Sequence, residues 1–204
     1  MNVILAIVVG YLFGNIQASY LLGRLFKGID IRKEGTANAG ASNAVIVMGW
    51  KFGVATFIID ALKAACAMWL VKYITGSINL SVLAGVMAMI GHIYPIFLRF
   101  KGGKGIASLM GIMVGLNVYI VIVLYITIIL GTIVTDSLVL GELLILILFP
   151  IAVYLFGYSN IALILIIFAC LLSAYKLREN FVKTLKGTEQ KLSDVFKKKK
   201  INKV

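Results

Sequence analysis

Charge is missing from long stretches of this chain: no Asp, Glu, Lys or Arg occurs at residues 73–98, 105–135 or 143–175. A membrane-spanning helix needs about 20 mostly apolar residues, so each stretch is long enough to cross a bilayer. Runs this long and this continuously apolar exclude barrel strands, which alternate apolar and polar residues. Cysteine is scarce too. Cys66 and Cys170 are the only two, and neither their number nor their spacing supports a disulfide or a metal site. No Pro/Ser-rich linker and no internal repeat divides the chain. Met1-Asn2 lacks a positive leader and no Ala-x-Ala site follows, so residues 3–25 read as a retained span rather than a cleaved signal.

What is present is apolar and basic. The composition is 61% hydrophobic, against about 45–50% in soluble domains, and 20 Lys and Arg outnumber 8 Asp and Glu. The chain reads as all-α, a polytopic helical membrane protein. Five cations (Arg24, Lys27, Arg32, Lys33 and Lys51) lie in or flank the first polar loop. Three more, Arg99, Lys101 and Lys104, lie in the second, and ten follow from Lys176 onward. The positive-inside rule puts both loops and the C-terminus in the cytoplasm and the N-terminus outside. Nucleic acid is a poor partner, because these cations flank spans and carry no aromatic stacking pattern.

The spans read as residues 3–25, 52–73 and 80–98, followed by an ambiguous region. Residues 106–134 and 138–175 each form one long span or two short ones, giving five or seven in all. The difference lies in whether residues 135–142 face outside (five) or inside (seven). Asp60 and Lys63 sit within the second span at (i, i+3), close enough to pair on one helix face. Past Ala174, Leu177, Phe181 and Leu185 recur every four residues among cations, the pattern of an interfacial helix. Residues 1–176 thus read as the transmembrane unit and 177–204 as an interfacial helix with a basic tail.

Two loops carry candidate chemistry. Arg99-Phe-Lys-Gly-Gly-Lys-Gly105 places three cations and three glycines in seven residues between two apolar runs. Glycine lets backbone N–H groups approach an anion and lysine supplies charge, so the loop reads as an anion site at the membrane lip; a purely topogenic basic loop is the competing reading. It is not a nucleotide-binding P-loop, since Ile106 follows Gly105 where Lys-Ser/Thr is required. The first loop, residues 28–43, is punctuated by Gly28, Gly35 and Gly40 and offers Thr36, Asn38, Ser42 and Asn43 as short hydrogen-bonding side chains. His92, beside Tyr94-Pro95, is either a packing residue or a base.

These segments, in this order, resemble the bacterial acyl-phosphate-dependent glycerol-3-phosphate acyltransferase family, often called PlsY. Gly28-Ile-Asp-Ile-Arg-Lys33 with Gly35-Thr-Ala-Asn-Ala-Gly-Ala-Ser-Asn43 is similar to the family's first motif. Gly91-His92-x-x-Pro95 with Phe100-Lys-Gly-Gly-Lys-Gly105 is similar to the second, and Arg178-Glu-Asn180 with Gly187-Thr-Glu189 to much of the third. Asp60-x-x-Lys63 also fits the family's second span. The resemblance covers nearly the whole chain.

The resemblance implies seven short transmembrane helices in a bacterial cell membrane. It also implies transfer of a fatty acyl group from acyl phosphate to glycerol 3-phosphate, giving lysophosphatidic acid for phospholipid synthesis. Lys104 would be the catalytic cation. Thr36, Asn38, Ser42, Asn43, His92, Lys101, Gly102, Gly103, Gly105 and Asn180 would bind substrate. No metal or cofactor is implied; membrane lipids and partner enzymes of phospholipid synthesis are the expected company. The chain departs from the family pattern at Ile46 and Asp136, where Arg is usual, at Val139, where Ser is usual, and at Leu177, where His is usual. A degenerate family member that only binds lipid or a partner is the alternative, and a small-molecule transporter the third.

Overall fold

A computed structural model describes residues 1–189 and, among them, nine α-helices and no strand. These are α1 (Asn2–Gly14), α2 (Ala18–Lys27), α3 (Ala41–Met48), α4 (Trp50–Thr75), α5 (Ile78–Ile93), α6 (Ile106–Leu116), α7 (Val118–Thr135), α8 (Leu138–Leu155) and α9 (Asn160–Leu185). By length and composition six helical segments suffice to cross a membrane: Asn2–Lys27, Trp50–Thr75, Ile78–Leu98, Val118–Thr135, Leu138–Leu155 and Asn160–Leu185. α6 is a seventh, shorter apolar helix. The region 106–134 is therefore two helices, because Asn117 breaks it: its extended backbone and side chain cap α7 through the Tyr119 N–H.

The first span is broken as well. Between α1 and α2, Asn15 donates to Tyr11 O and accepts from the Ile96 N–H, while Gln17 donates to Gly14 O and His92 O. Backbone polar groups freed inside a bilayer need such partners, and the two amides supply them. The third span ends early for a related reason. Pro95 cannot continue α5, and a 3-10 turn, Ile96–Leu98, follows it. α9 runs unbroken through residues 176 and 177, the boundary expected from the cationic composition beyond it. The charge pattern changes there; the backbone does not. The basic run at residues 197–200 lies outside the described residues.

Helices in lipid approach through small residues, since hydrocarbon offers no hydrophobic drive between them. α1 and α5 run side by side in the same direction on this principle. A Cβ on Gly10 would sit 2.2 Å from Ala84 O, and one on Gly14 2.1 Å from Ala88 O. α6 approaches α4 equally closely, with Gly111 against Ala61 O. Parallel α1 and α5 put the two polar loops at one end of the bundle, where the Arg32 guanidinium reaches from the first loop to Leu98 O at 3.0 Å. The α7–α8 turn is at the same end. Thr135, Asp136 and Ser137 line a cavity of about 230 Å³ with Thr184, Gly187 and Glu189. At the opposite end Tyr158 Oη donates to Leu116 O, and Ser159 pairs with Asn79.

Candidate functional site

The first loop is built inward upon Asn43. Its side chain is fully buried; the carboxamide Oδ1 accepts from the Thr36 N–H at 2.8 Å, and Nδ2 reaches the carbonyls of Ile31, Glu34 and Asn38 at 3.0 Å each. Every polar atom of Asn43 is thereby committed to holding the loop closed. Thr36 and Ser42 are exposed and Asn38 is half-buried. Ahead of the loop, Asp30 receives two hydrogen bonds from the Arg32 side chain, at 2.9 and 2.7 Å, and one from its N–H. The hydrogen-bonded Arg32 guanidinium lowers the Asp30 pKa to about 2, against the opposing effect of burial.

The glycine-rich loop lies on the C-terminal end of α5. Gly102 N–H donates to Ile93 O at 3.2 Å and Gly103 N–H to His92 O at 3.1 Å. A Cβ on Gly102 would fall 1.9 Å from His92 O, and one on Gly103 2.1 Å from His92 Nε2. The N–H groups of these two glycines satisfy the last carbonyls of α5, and the close approach that glycine allows is toward the helix. Gly105 has φ +92° and begins α6, whose first N–H groups have no carbonyl partner within the helix. Lys101 is exposed.

Lys104, between those glycines, is half-buried. Its Nζ donates to Asn180 Oδ1 at 2.5 Å, and its backbone carbonyl accepts from Ser173 Oγ at 3.1 Å, so α9 grips both ends of the residue. Asn180 Nδ2 in turn donates to Glu189 at 2.8 Å. Burial lowers the Lys104 pKa, and the charges of Glu142 and Glu189 oppose that shift. The loop's own sequence contains no hint of these carboxylates. Glu142, on α8, is the charged neighbour that spacing along the chain could not supply.

Behind the loop, Asp60, Lys63 and His92 form one buried cluster. Lys63 Nζ lies 2.6 Å from Asp60 Oδ1 and 2.9 Å from His92 Nδ1. The (i, i+3) pair is legible in the sequence; the arrival of His92 from α5 is not. Among the departures from the family pattern, Val139 and Leu177 are buried, 4% and 1% exposed, and Leu177 packs in the main apolar core. Ile46 is exposed, and Asp136 holds a left-handed backbone at φ +51°.

Residues 4–187 match the family model described as glycerol-3-phosphate acyltransferase. The chain is 38% identical to glycerol-3-phosphate acyltransferase 1 of Oceanobacillus iheyensis, over 98% of this chain and 99% of that protein. It is also 38% identical to glycerol-3-phosphate acyltransferase of Thermotoga petrophila, over 94% and 96%. The crystal structure of PlsY (YgiH), an integral membrane glycerol 3-phosphate acyltransferase, in its glycerol 3-phosphate form, is similar with a TM-score of 0.87 at 27% identity, over 94% of this chain and 96% of that one. Its lysophosphatidic acid form gives the same score at 26% identity, over 96% and 99%. A multi-pass helical membrane protein whose three polar segments meet at one end, this chain belongs to the glycerol-3-phosphate acyltransferase family.

Proposed function

We propose that this protein transfers a fatty acyl group from acyl phosphate to the 1-hydroxyl of glycerol 3-phosphate, at the end of the bundle where Lys104 meets Asn180. The observation that carries the reading is the 2.5 Å Lys104–Asn180 hydrogen bond beside the start of α6. A fixed ammonium next to unpaired helix N–H groups favours a phosphate. Acyl phosphate is a mixed anhydride, already activated. The hydroxyl oxygen bonds to the acyl carbon, the carbon–oxygen bond to phosphate breaks, and inorganic phosphate leaves carrying the hydroxyl proton, with lysophosphatidic acid as the other product. Positioning and charge stabilisation suffice for such a step, and no covalent enzyme nucleophile is required.

The roles of Thr36, Asn38, Ser42 and Lys101 as substrate-facing groups, and of His92, Asn43 and the loop glycines as the framework behind them, belong to the same proposal. So does the topology: seven crossings with α6 as the short one, the N-terminus outside, and both loops, the α7–α8 turn and residue 189 in the cytoplasm. A degenerate, non-catalytic member is the second reading, favoured by the apolar burial of Val139 and Leu177. Purified protein in lipid, given acyl phosphate and glycerol 3-phosphate, separates the two. Lysophosphatidic acid released with stoichiometric phosphate supports catalysis, and no product at high protein concentration supports the second reading.

A further inference from the structure

His92 is the only histidine of the chain, and it touches the glycine-rich loop with both its ring and its backbone. Its ring is held from behind by Lys63. An ammonium has three protons and no acceptor. Lys63 Nζ has three acceptors within reach: Ile16 O at 2.5 Å, Asp60 Oδ1 at 2.6 Å and His92 Nδ1 at 2.9 Å. All three protons are therefore assigned; the competing assignment, an Nδ1–H donated to Asp60 Oδ1, spans 3.5 Å and would set that N–H against the ammonium 2.9 Å away, so Nδ1 is read as the accepting nitrogen. The neutral ring then carries its proton on Nε2, the atom beside Gly103.

The cluster is poorly explained as a stability device. Asp60 Oδ2 is buried and has no hydrogen-bond partner among the described residues, which costs about 1–3 kcal/mol. A buried ion pair seldom stabilises more than apolar packing would, and intramembrane charge is expensive. What the arrangement does supply is orientation. The same Lys63 ties the α1–α2 break, through Ile16 O, to the residue beneath Gly102, Gly103 and Lys104.

We infer that Asp60 and Lys63 are positioning residues of the acyl-transfer site. They lock His92 as the Nε2–H tautomer at one angle, and the locked ring fixes the loop backbone that presents Lys104. This rests on Lys104 being the phosphate-handling cation, so the test needs a readout independent of turnover.

A single histidine provides one. Full-length protein labelled with 15N-histidine, in lipid nanodiscs at neutral pH, gives one pair of ring-nitrogen resonances. The expected spectrum has Nε2 protonated and Nδ1 bare. Lys63→Met should abolish that preference, giving mixed or Nδ1–H signals, and lower kcat/KM at least tenfold. His92→Gln, whose amide N–H reaches near the Nε2 position, should keep at least five times the activity of His92→Asn, whose amide does not. An Nδ1–H ring or an imidazolium in the wild type overturns the inference. So does an unchanged tautomer, or unchanged kcat/KM, in a folded Lys63→Met protein. If Lys63→Met does not fold, the wild-type spectrum and the Gln/Asn comparison decide. If the wild type makes no lysophosphatidic acid, the acyltransferase reading fails, and the spectra of wild type and Lys63→Met still decide whether Lys63 sets the tautomer.

Discussion

Lys104 Nζ donates to Asn180 Oδ1 at 2.5 Å across 76 residues of chain, joining the glycine-rich loop to the last helix. Lys104→Ala is expected to lower kcat/KM at least about 100-fold, as for loss of one preorganised donor. Lys72→Ala, at an exposed and screened position at the far end of α4, should cost under about threefold. Steady-state kinetics in lipid check both, and equal effects would reduce the loop to a topogenic role. Because burial lowers the Lys104 pKa, kcat/KM should fall on the alkaline side below the 10.5 of an exposed lysine.

The glycines of the two polar loops should divide by what lies beneath them. Gly102→Ala drives a Cβ into the His92 carbonyl, a backbone atom that cannot yield, and is expected to destabilise by about 3 kcal/mol or more. Gly28→Ala meets nothing within 4 Å but keeps φ +67°, so a loss of about 1 kcal/mol is expected. Thermal unfolding in one detergent ranks the two, and similar losses would mean the loop does not lie on α5.

Asp30 gives a pH test with a definite sign. Its carboxyl is lowered to about 2 by Arg32, so its stabilising effect is complete above the unfolded value of about 3.9. That effect is lost as pH falls through about 2. Melting temperature should therefore differ between wild type and Asp30→Asn by a constant amount from pH 5 to 9, and the two should converge toward pH 2. A gap that changes between pH 6 and 8 would implicate another group.

Reversing Asp136 should aid an anionic substrate. Asp136→Arg changes local charge by two units in a cavity that also includes Glu189, and KM for glycerol 3-phosphate should fall several-fold. Adding Ile46→Arg, at an exposed site, should help further. Leu177→His should instead cost stability, about 2 kcal/mol or more, because Leu177 is 1% exposed within the apolar core. Kinetics and melting of the separate variants test each sign.

Topology is open to a direct chemical test. With Cys66 and Cys170 replaced, a cysteine at exposed Thr135 should label only from the cytoplasmic side. Labelling from outside would indicate five crossings.

The membrane class, the all-helical fold and the cationic loop ends were determined by the sequence itself, because hydropathy and charge act residue by residue along the chain. Asp60 and Lys63 were legible as a pair for the same local reason: helical spacing. The helix break at Asn15–Gln17 was not, since it depends on Ile96 and His92, which only packing brings near, whereas the break at Asn117, capped locally through Tyr119, stood among the open readings of the sequence. Nor could motif spacing say which way a polar side chain turns. Asn43 closes its own loop, and the N–H groups of Gly102 and Gly103 close α5, because buried polar groups take the nearest available partners. The meeting of Lys104 with Asn180, and of Lys63 with His92, was decided by tertiary structure alone: short-range electrostatics needs contact, and contact between distant residues exists only in the folded bundle.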